Sequence, residues 1–99
     1  MDKLTKLIKE WSKDRGLDKS EPSKQFLKVV EELGELSEAI AKDDVNGQVD
    51  GIGDVYVTLV ILAQQLHLDI EGCVRYAYNE IADRKGKMIN GVFVKEEDL

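Results

Sequence analysis

The segment spanning residues 48–66 constrains the fold most, because its middle, residues 55–63, is apolar on every side. Its β-branched residues would also suit a strand, but its length and its lack of alternation favour a buried α-helix. The apolar run is far shorter than the roughly 20 residues that a membrane-spanning helix needs. A helix that is apolar all round must be covered on all sides, so this one needs packing partners in every direction.

Three further segments have the periodicity of amphipathic helices. They span about residues 2–14, 22–42 and 69–85, and the second opens with Pro22, a residue suited to the first turn of a helix. Short connections between long amphipathic helices imply an antiparallel arrangement. The sequence therefore predicts an all-α protein, with residues 1–99 forming a single domain and an antiparallel four-helix bundle-like protomer.

The C-terminal residues have a different pattern. Asn90-Gly91 stands between two short apolar runs, which is a signal for a tight turn between paired strands. We expect a short C-terminal hairpin or an extended arm, followed by a frayed acidic end.

The central helix also bears on oligomeric state. Three other helices from a chain of 99 residues can hardly cover a helix that is apolar on all sides. We therefore expect a homo-oligomer, a homodimer or a homotetramer, with the dimer as its smallest unit.

Charge and cysteine content limit the partners and the compartment. The formal net charge is −6, whereas a protein that grips a nucleic-acid backbone usually carries a basic patch. The single cysteine, Cys73, excludes an intramolecular disulfide and is expected to be a small core residue. The N-terminus has no apolar core typical of a signal peptide. We expect a cytoplasmic protein that binds neither nucleic acid nor membrane.

An acidic series lies on the second helix. Helical spacing places these residues opposite an apolar stripe that is expected to face the core. Alone, such a series is typical of a solvated face. The acidic residues are Glu31, Glu32, Glu35 and Glu38, and the stripe is Phe26, Val29, Val30, Leu33, Leu36 and Ile40.

Two aspartates on the third helix favour a cation-binding site over a merely solvated acidic face. Asp50 and Asp54 are one turn apart and lead into the buried run. If the second and third helices form a hairpin about residue 45, Glu35 lies level with about Asp54, and Glu38 lies level with about Asp50 or Gly51. Carboxylates that converge beside a buried surface need a cation or a proton. Ligands that are all oxygen suit Mg²⁺ or Mn²⁺.

Other acidic metal sites do not fit. A di-iron bundle uses Glu-x-x-His pairs, and the only histidine, His67, follows no such glutamate. A calcium loop of the EF-hand type that began at Asp44 would have Val49 in place of the central glycine and Val55 in place of the closing glutamate.

At these residues the sequence resembles the MazG-like members of the all-α nucleoside triphosphate pyrophosphohydrolases. The family motif is E-E-x-x-E on one helix and E-x-x-D on the next, and the first half is intact here as Glu31-Glu32-Leu33-Gly34-Glu35. The resemblance implies that Glu32, Glu35 and Asp54 are Mg²⁺ ligands. The fourth carboxylate of the pattern would fall at Gly51, so either Asp50 substitutes for it or a water fills its place.

The resemblance also implies the chemistry. A water would attack a nucleoside triphosphate near the α-phosphorus, giving a nucleoside monophosphate and pyrophosphate, with Glu31 or Glu38 activating the water. Phosphates also need positive partners, and the candidates are Lys28, Arg84, Lys85 and Lys87.

Two alternatives stay open. The same chemistry could act on phosphoribosyl-ATP. A helical interaction module without enzymatic activity would explain the acidic face as a source of solubility, and Gly51 favours that interpretation.

Overall fold

The computed structural model describes residues 2–99 and contains four helices and one hairpin in this part of the chain. The helices are α1 (Asp2–Asp14), α2 (Pro22–Ala41), α3 (Val45–Gln65) and α4 (Ile70–Ile81), and short 3₁₀ turns cover Leu17–Lys19 and Glu96–Asp98. Strands β1 (Gly86–Ile89) and β2 (Val92–Lys95) pair antiparallel. The predicted order of four helices followed by a hairpin is confirmed.

Capping residues determine where the helices begin. The Asp44 side chain accepts a hydrogen bond from the Gly47 amide at 3.1 Å, so α3 begins at Val45, three residues before the predicted start. Asp69 caps α4 in the same way through the Gly72 amide, at 3.2 Å. α4 ends at Ile81 rather than near residue 85, because the hairpin begins at Gly86 and the Glu96 amide donates to the Lys85 carbonyl at 2.7 Å.

α2 and α3 form the central αα-hairpin, and α1 packs against α3. The buried cluster consists of Val60, Ala63 and Ile70, with Ile8 and Tyr56 packed against it. Polar side chains link α1 to α3 as well, because Thr5 Oγ1 and Tyr56 Oη are hydrogen-bonded at 2.7 Å. Gln65 Nε2 donates to the Leu17 carbonyl at 2.9 Å and so fastens the connector after α1.

The contact between α2 and α3 uses a different face of α2 from the one predicted. Glu32 is buried in it, beside Val29 and Ala39, and is not opposite the packed face as expected. α3 presents glycines here: a Cβ atom on Gly51 would lie 3.1 Å from Leu36 Cβ, and one on Gly47 would lie 3.0 Å from Ala39 Cβ. Close approach at these two glycines therefore determines which face of α2 meets α3.

Most of the predicted apolar stripe of α2 is consequently exposed. Its uncovered members are Phe26, Val30, Leu33 and Ile40, and Ile52 and Leu59 on α3 and Leu66 directly after it are also exposed. By helical spacing, these side chains lie together along the edge of the hairpin away from Glu32 and Asp54. We call this set of seven residues the apolar edge.

α4 does not close a four-helix bundle within one chain, which corrects that part of the prediction. It is bent by 108° from α3, and Ile70 is its one buried residue. Cys73, expected in the core, is exposed.

In the hairpin, Asn90 and Gly91 have φ values of 52° and 79°, the left-handed pair required by the predicted tight turn.

In the described residues no single helix is long and apolar enough to cross a membrane. The bent pair of α3 and α4 passes that test of length and composition only when the two are taken together.

Candidate metal and phosphate site

Glu32 is the most unusual side chain in the site. It is 7% exposed, in the contact between α2 and α3. Its Oε1 atom lies 3.3 Å from Lys28 Nζ, whereas Oε2 is buried and has no hydrogen-bond partner. A buried carboxylate oxygen without a partner is costly. The position therefore calls for a further cation or donor.

Glu35 lies one turn after Glu32, and their carboxyl groups are within hydrogen-bonding reach of each other. That contact and the negative charge of Glu32 raise the pKa of Glu35, and burial and Glu31 add to the effect. Two carboxylates this close repel each other unless a proton or a cation lies between them.

Asp54 faces the same region from α3. Burial raises the pKa of Asp54, and the charges of Asp50 and Glu32 raise it further. Asp50 is within hydrogen-bonding reach of Asp54. The four predicted metal ligands thus lie in one region: Glu35, Asp50 and Asp54 line one cavity, and Glu32 and Asp54 line the next.

Gly51 occupies the position where the family motif has its fourth carboxylate. It is buried, and a Cβ atom there would lie 3.0 Å from Leu36 Cδ1 and 3.3 Å from its Cα. Because one of these neighbours is backbone, a side chain at this position would push α2 away from α3. Asp50 is exposed beside the contact and faces Asp54 without that clash.

The donor set fits a hard divalent cation. Among residues 2–99, no three carboxylates converge closely enough to hold an ion as they stand. One oxygen of Glu32 has no partner, however, Glu32 raises the pKa of Glu35, and burial with the charge of Asp50 raises the pKa of Asp54. Mg²⁺ and Mn²⁺ bind such oxygen ligands.

The two candidate bases differ in their surroundings. Glu38 lines a cavity of about 200 Å³ together with Glu35, Asp50 and Asp54. An ion pair with Lys42 lowers the pKa of Glu38. Glu31 is exposed and lies 3.4 Å from Lys28 Nζ. It does not line that cavity.

A second cavity, of about 430 Å³, opens on the other side of Glu32 and Asp54. It runs between α1, the 3₁₀ turn after it and the α2–α3 pair. Sequence reasoning suggested Lys28 but missed Lys24, Gln25 and Thr58. The spacing of Lys24, Lys28 and Glu32 along one line of α2 could have indicated Lys24. The lining residues are Trp11, Leu17, Ser20, Lys24, Gln25, Lys28, Glu32, Asp54, Val57, Thr58 and Ile61.

The other predicted phosphate ligands lie elsewhere. Arg84 and Lys85 line a separate cavity with Glu96 and Glu97, and Lys87 belongs to β1. That cavity shares no lining residue with the two cavities at the carboxylates. Within one chain, only Lys28 of the four predicted cations lies at the carboxylates.

Comparisons with known proteins agree with the motif. The family model described as MazG nucleotide pyrophosphohydrolase domain matches residues 21–89. A protein of Haemophilus phage HP1 (strain HP1c1), the uncharacterized 18.2 kDa protein in the rep-hol intergenic region, is 46% identical over 70 residues. That match covers 70% of this chain and 43% of the phage protein, so the chain spans less than half of its relative. No solved structure gives a significant match.

Proposed function

Because the chain belongs to the family of MazG nucleotide pyrophosphohydrolase domains, we propose that it hydrolyses nucleoside triphosphates to monophosphates and pyrophosphate with Mg²⁺. The observation that carries the proposal is the buried Glu32 oxygen without a partner, beside Glu35 and Asp54. Such a group is costly in a purely structural acidic face and is explained by a bound cation.

Glu32, Glu35, Asp50 and Asp54 would hold the metal. When bound, the cation would neutralise phosphate charge and act as a Lewis acid; Mn²⁺ suits the same ligands. The cavity that contains Trp11 joins this cluster at Glu32 and Asp54. Its volume of about 430 Å³ and its mixed apolar and polar lining suit the nucleoside part of a substrate.

In the reaction, a water oxygen forms a bond to the α-phosphorus, and the bond from that phosphorus to the α–β bridging oxygen breaks. Pyrophosphate leaves, and the water's proton passes to a carboxylate. Glu38 is the better candidate for this acceptor, because it lines the cavity that contains Glu35, Asp50 and Asp54, whereas Glu31 does not. Lys28 is the cation best placed to meet the phosphates.

The direct test measures pyrophosphate release from a panel of NTPs, dNTPs and phosphoribosyl-ATP with Mg²⁺. We expect Glu35→Gln and Asp54→Asn each to lower kcat/KM by about 100-fold or more, because a metal ligand is lost. Glu10→Gln, which removes an exposed carboxylate of α1, is the matched control and should retain activity. Full activity in Glu35→Gln would contradict the assignment of the site.

A helical module without enzymatic activity predicts a different result. Millimolar Mg²⁺ or Mn²⁺ would then not change the Tm of the protein. The proposed metal site predicts a rise in Tm that is lost in Asp54→Asn, because a ligand that binds only the folded state stabilises it.

We also propose that the chain associates with copies of itself, because it exposes more surface than a compact monomer of its mass. The chain exposes 7577 Å², whereas a compact monomer of 11.2 kDa exposes about 5,700 Å². The excess, about 1,900 Å² per chain, exceeds the roughly 800 Å² that each partner buries in a standard interface. The apolar edge and most of α4 supply the uncovered surface, which a second copy of the chain would bury.

A further inference from the structure

Lys28 lies where the carboxylate cluster meets the larger cavity. Its Nζ atom is 3.3 Å from Glu32 Oε1 and 3.4 Å from Glu31 Oε1. The same side chain lines the cavity that contains Trp11. One lysine therefore contacts a predicted metal ligand and faces the space assigned to the substrate.

Lys28 is the cation that balances the charge of Glu32 in the described residues. Lys24 lines the same cavity but forms no ion pair in residues 2–99. The side chain of Glu32 is 9% exposed, so water screens its negative charge little, whereas the Lys28 side chain is 49% exposed. A flexible four-carbon stem and a half-exposed position let Lys28 move at small cost.

We infer that Lys28 is an exchangeable counter-ion, which neutralises Glu32 before the metal binds and is displaced by the metal towards the substrate phosphates. The inference rests on the proposed metal site and deepens it. A divalent cation and an ammonium group repel each other when both approach one carboxylate. Displacement therefore costs metal affinity and supplies a free ammonium group to the cavity, where phosphates need one.

Metal affinity tests the first half of the inference. Mn²⁺ binding to the full chain is measured by calorimetry without nucleotide. We expect Lys28→Met to bind Mn²⁺ roughly three- to tenfold more tightly than the unmodified protein, because a competing cation is gone. Lys28→Arg keeps the competing charge and should stay near the unmodified value. Equal or weaker Mn²⁺ binding by a folded Lys28→Met would overturn the inference.

Lys9→Met is the matched control. Lys9 forms an ion pair of similar length, 3.2 Å, with Asp69 and lines neither cavity at the carboxylates. Its loss should leave Mn²⁺ affinity within about twofold of the unmodified protein. An equal gain in both variants would show that general charge explains the effect and would overturn the inference. If Lys28→Met fails to fold, Lys28→Gln provides the same comparison with a polar side chain.

Phosphate affinity tests the second half. Pyrophosphate binding is measured by calorimetry at a matched, saturating concentration of free Mg²⁺. Lys28→Met should weaken it by about tenfold and Lys9→Met should not, because only Lys28 is placed to meet the phosphates. Unchanged pyrophosphate affinity in Lys28→Met would overturn this half. Failure of the unmodified protein to bind Mn²⁺ would remove the proposed metal site together with the inference, whereas Mn²⁺ binding that Lys28→Met does not strengthen contradicts the inference alone.

Discussion

At the scale of single residues, Gly51 bears on both the packing of α2 against α3 and the proposed set of metal ligands. It is buried against Leu36, at distances that leave little room for a Cβ atom. A glutamate here could not enter the cluster without separating α2 from α3. We therefore propose Asp50, which is exposed beside the same contact, as the substitute for the fourth carboxylate of the motif.

A pair of glycine substitutions tests this packing. Gly51→Ala should lower the free energy of unfolding by about 1 kcal/mol or more, since overpacking outweighs the gain in helix propensity. Gly53→Ala, also within α3 but with no atom within 4 Å of the added Cβ, should raise it by about 0.5–1 kcal/mol. Urea unfolding at one protein concentration measures both, and stabilisation by both substitutions would contradict the close contact at Gly51.

At the scale of elements, α4 is held to the body mainly at its first turn. Asp69 caps the helix and pairs with Lys9 of α1 at 3.2 Å. Its link to Lys9 lowers the pKa of Asp69 below the ordinary value of 3.8, and the hydrogen bond from the Gly72 amide acts in the same direction. One exposed side chain therefore ties α4 to α1 electrostatically.

The pH dependence of stability tests the ion pair between Asp69 and Lys9. Because the folded-state pKa is lowered, the contribution of Asp69 is present above 3.8 and is lost as pH falls through the folded-state value. Asp69→Asn keeps an oxygen for the cap but removes the charge. Its Tm should be lower than that of the unmodified protein at pH 6, and the gap should close as pH falls below 3.8. Glu10→Gln is the control, and a gap that does not change with pH would contradict the role of the charge.

At the scale of the whole molecule, the single chain is extended. Its radius of gyration is 16.2 Å, against about 12.6 Å for a compact domain of this length. α4 and the hairpin project from the helical body, and the apolar edge is uncovered. Projection of α4 also separates Arg84 and Lys85 from the carboxylates of their own chain.

Sedimentation of variants tests the proposed association. The unmodified protein should be at least a dimer at micromolar concentration, and Leu33→Asp, in the apolar edge, should shift it towards monomer because a charge at a buried interface is costly. Leu27→Asp makes the same replacement on α2 outside the apolar edge, at a side chain that is also exposed, and should associate normally. An unmodified protein that sediments as a monomer would refute the association.

The sequence alone determined the helices, the hairpin and the acidic motif, because these depend on local properties. Hydrophobic periodicity marks each helix, helix caps form at Asp44 and Asp69, and a tight turn forms at Asn90-Gly91; each depends only on residues nearby in the chain. The short connection between α2 and α3 brings Glu35 level with Asp54. Only the tertiary structure decided which face of α2 is buried, since that depends on how closely two helices approach at Gly47 and Gly51. It therefore also decided that Glu32 is buried with one unpartnered oxygen, that Lys28 lies at the cluster, and that Arg84, Lys85 and Lys87 lie away from it.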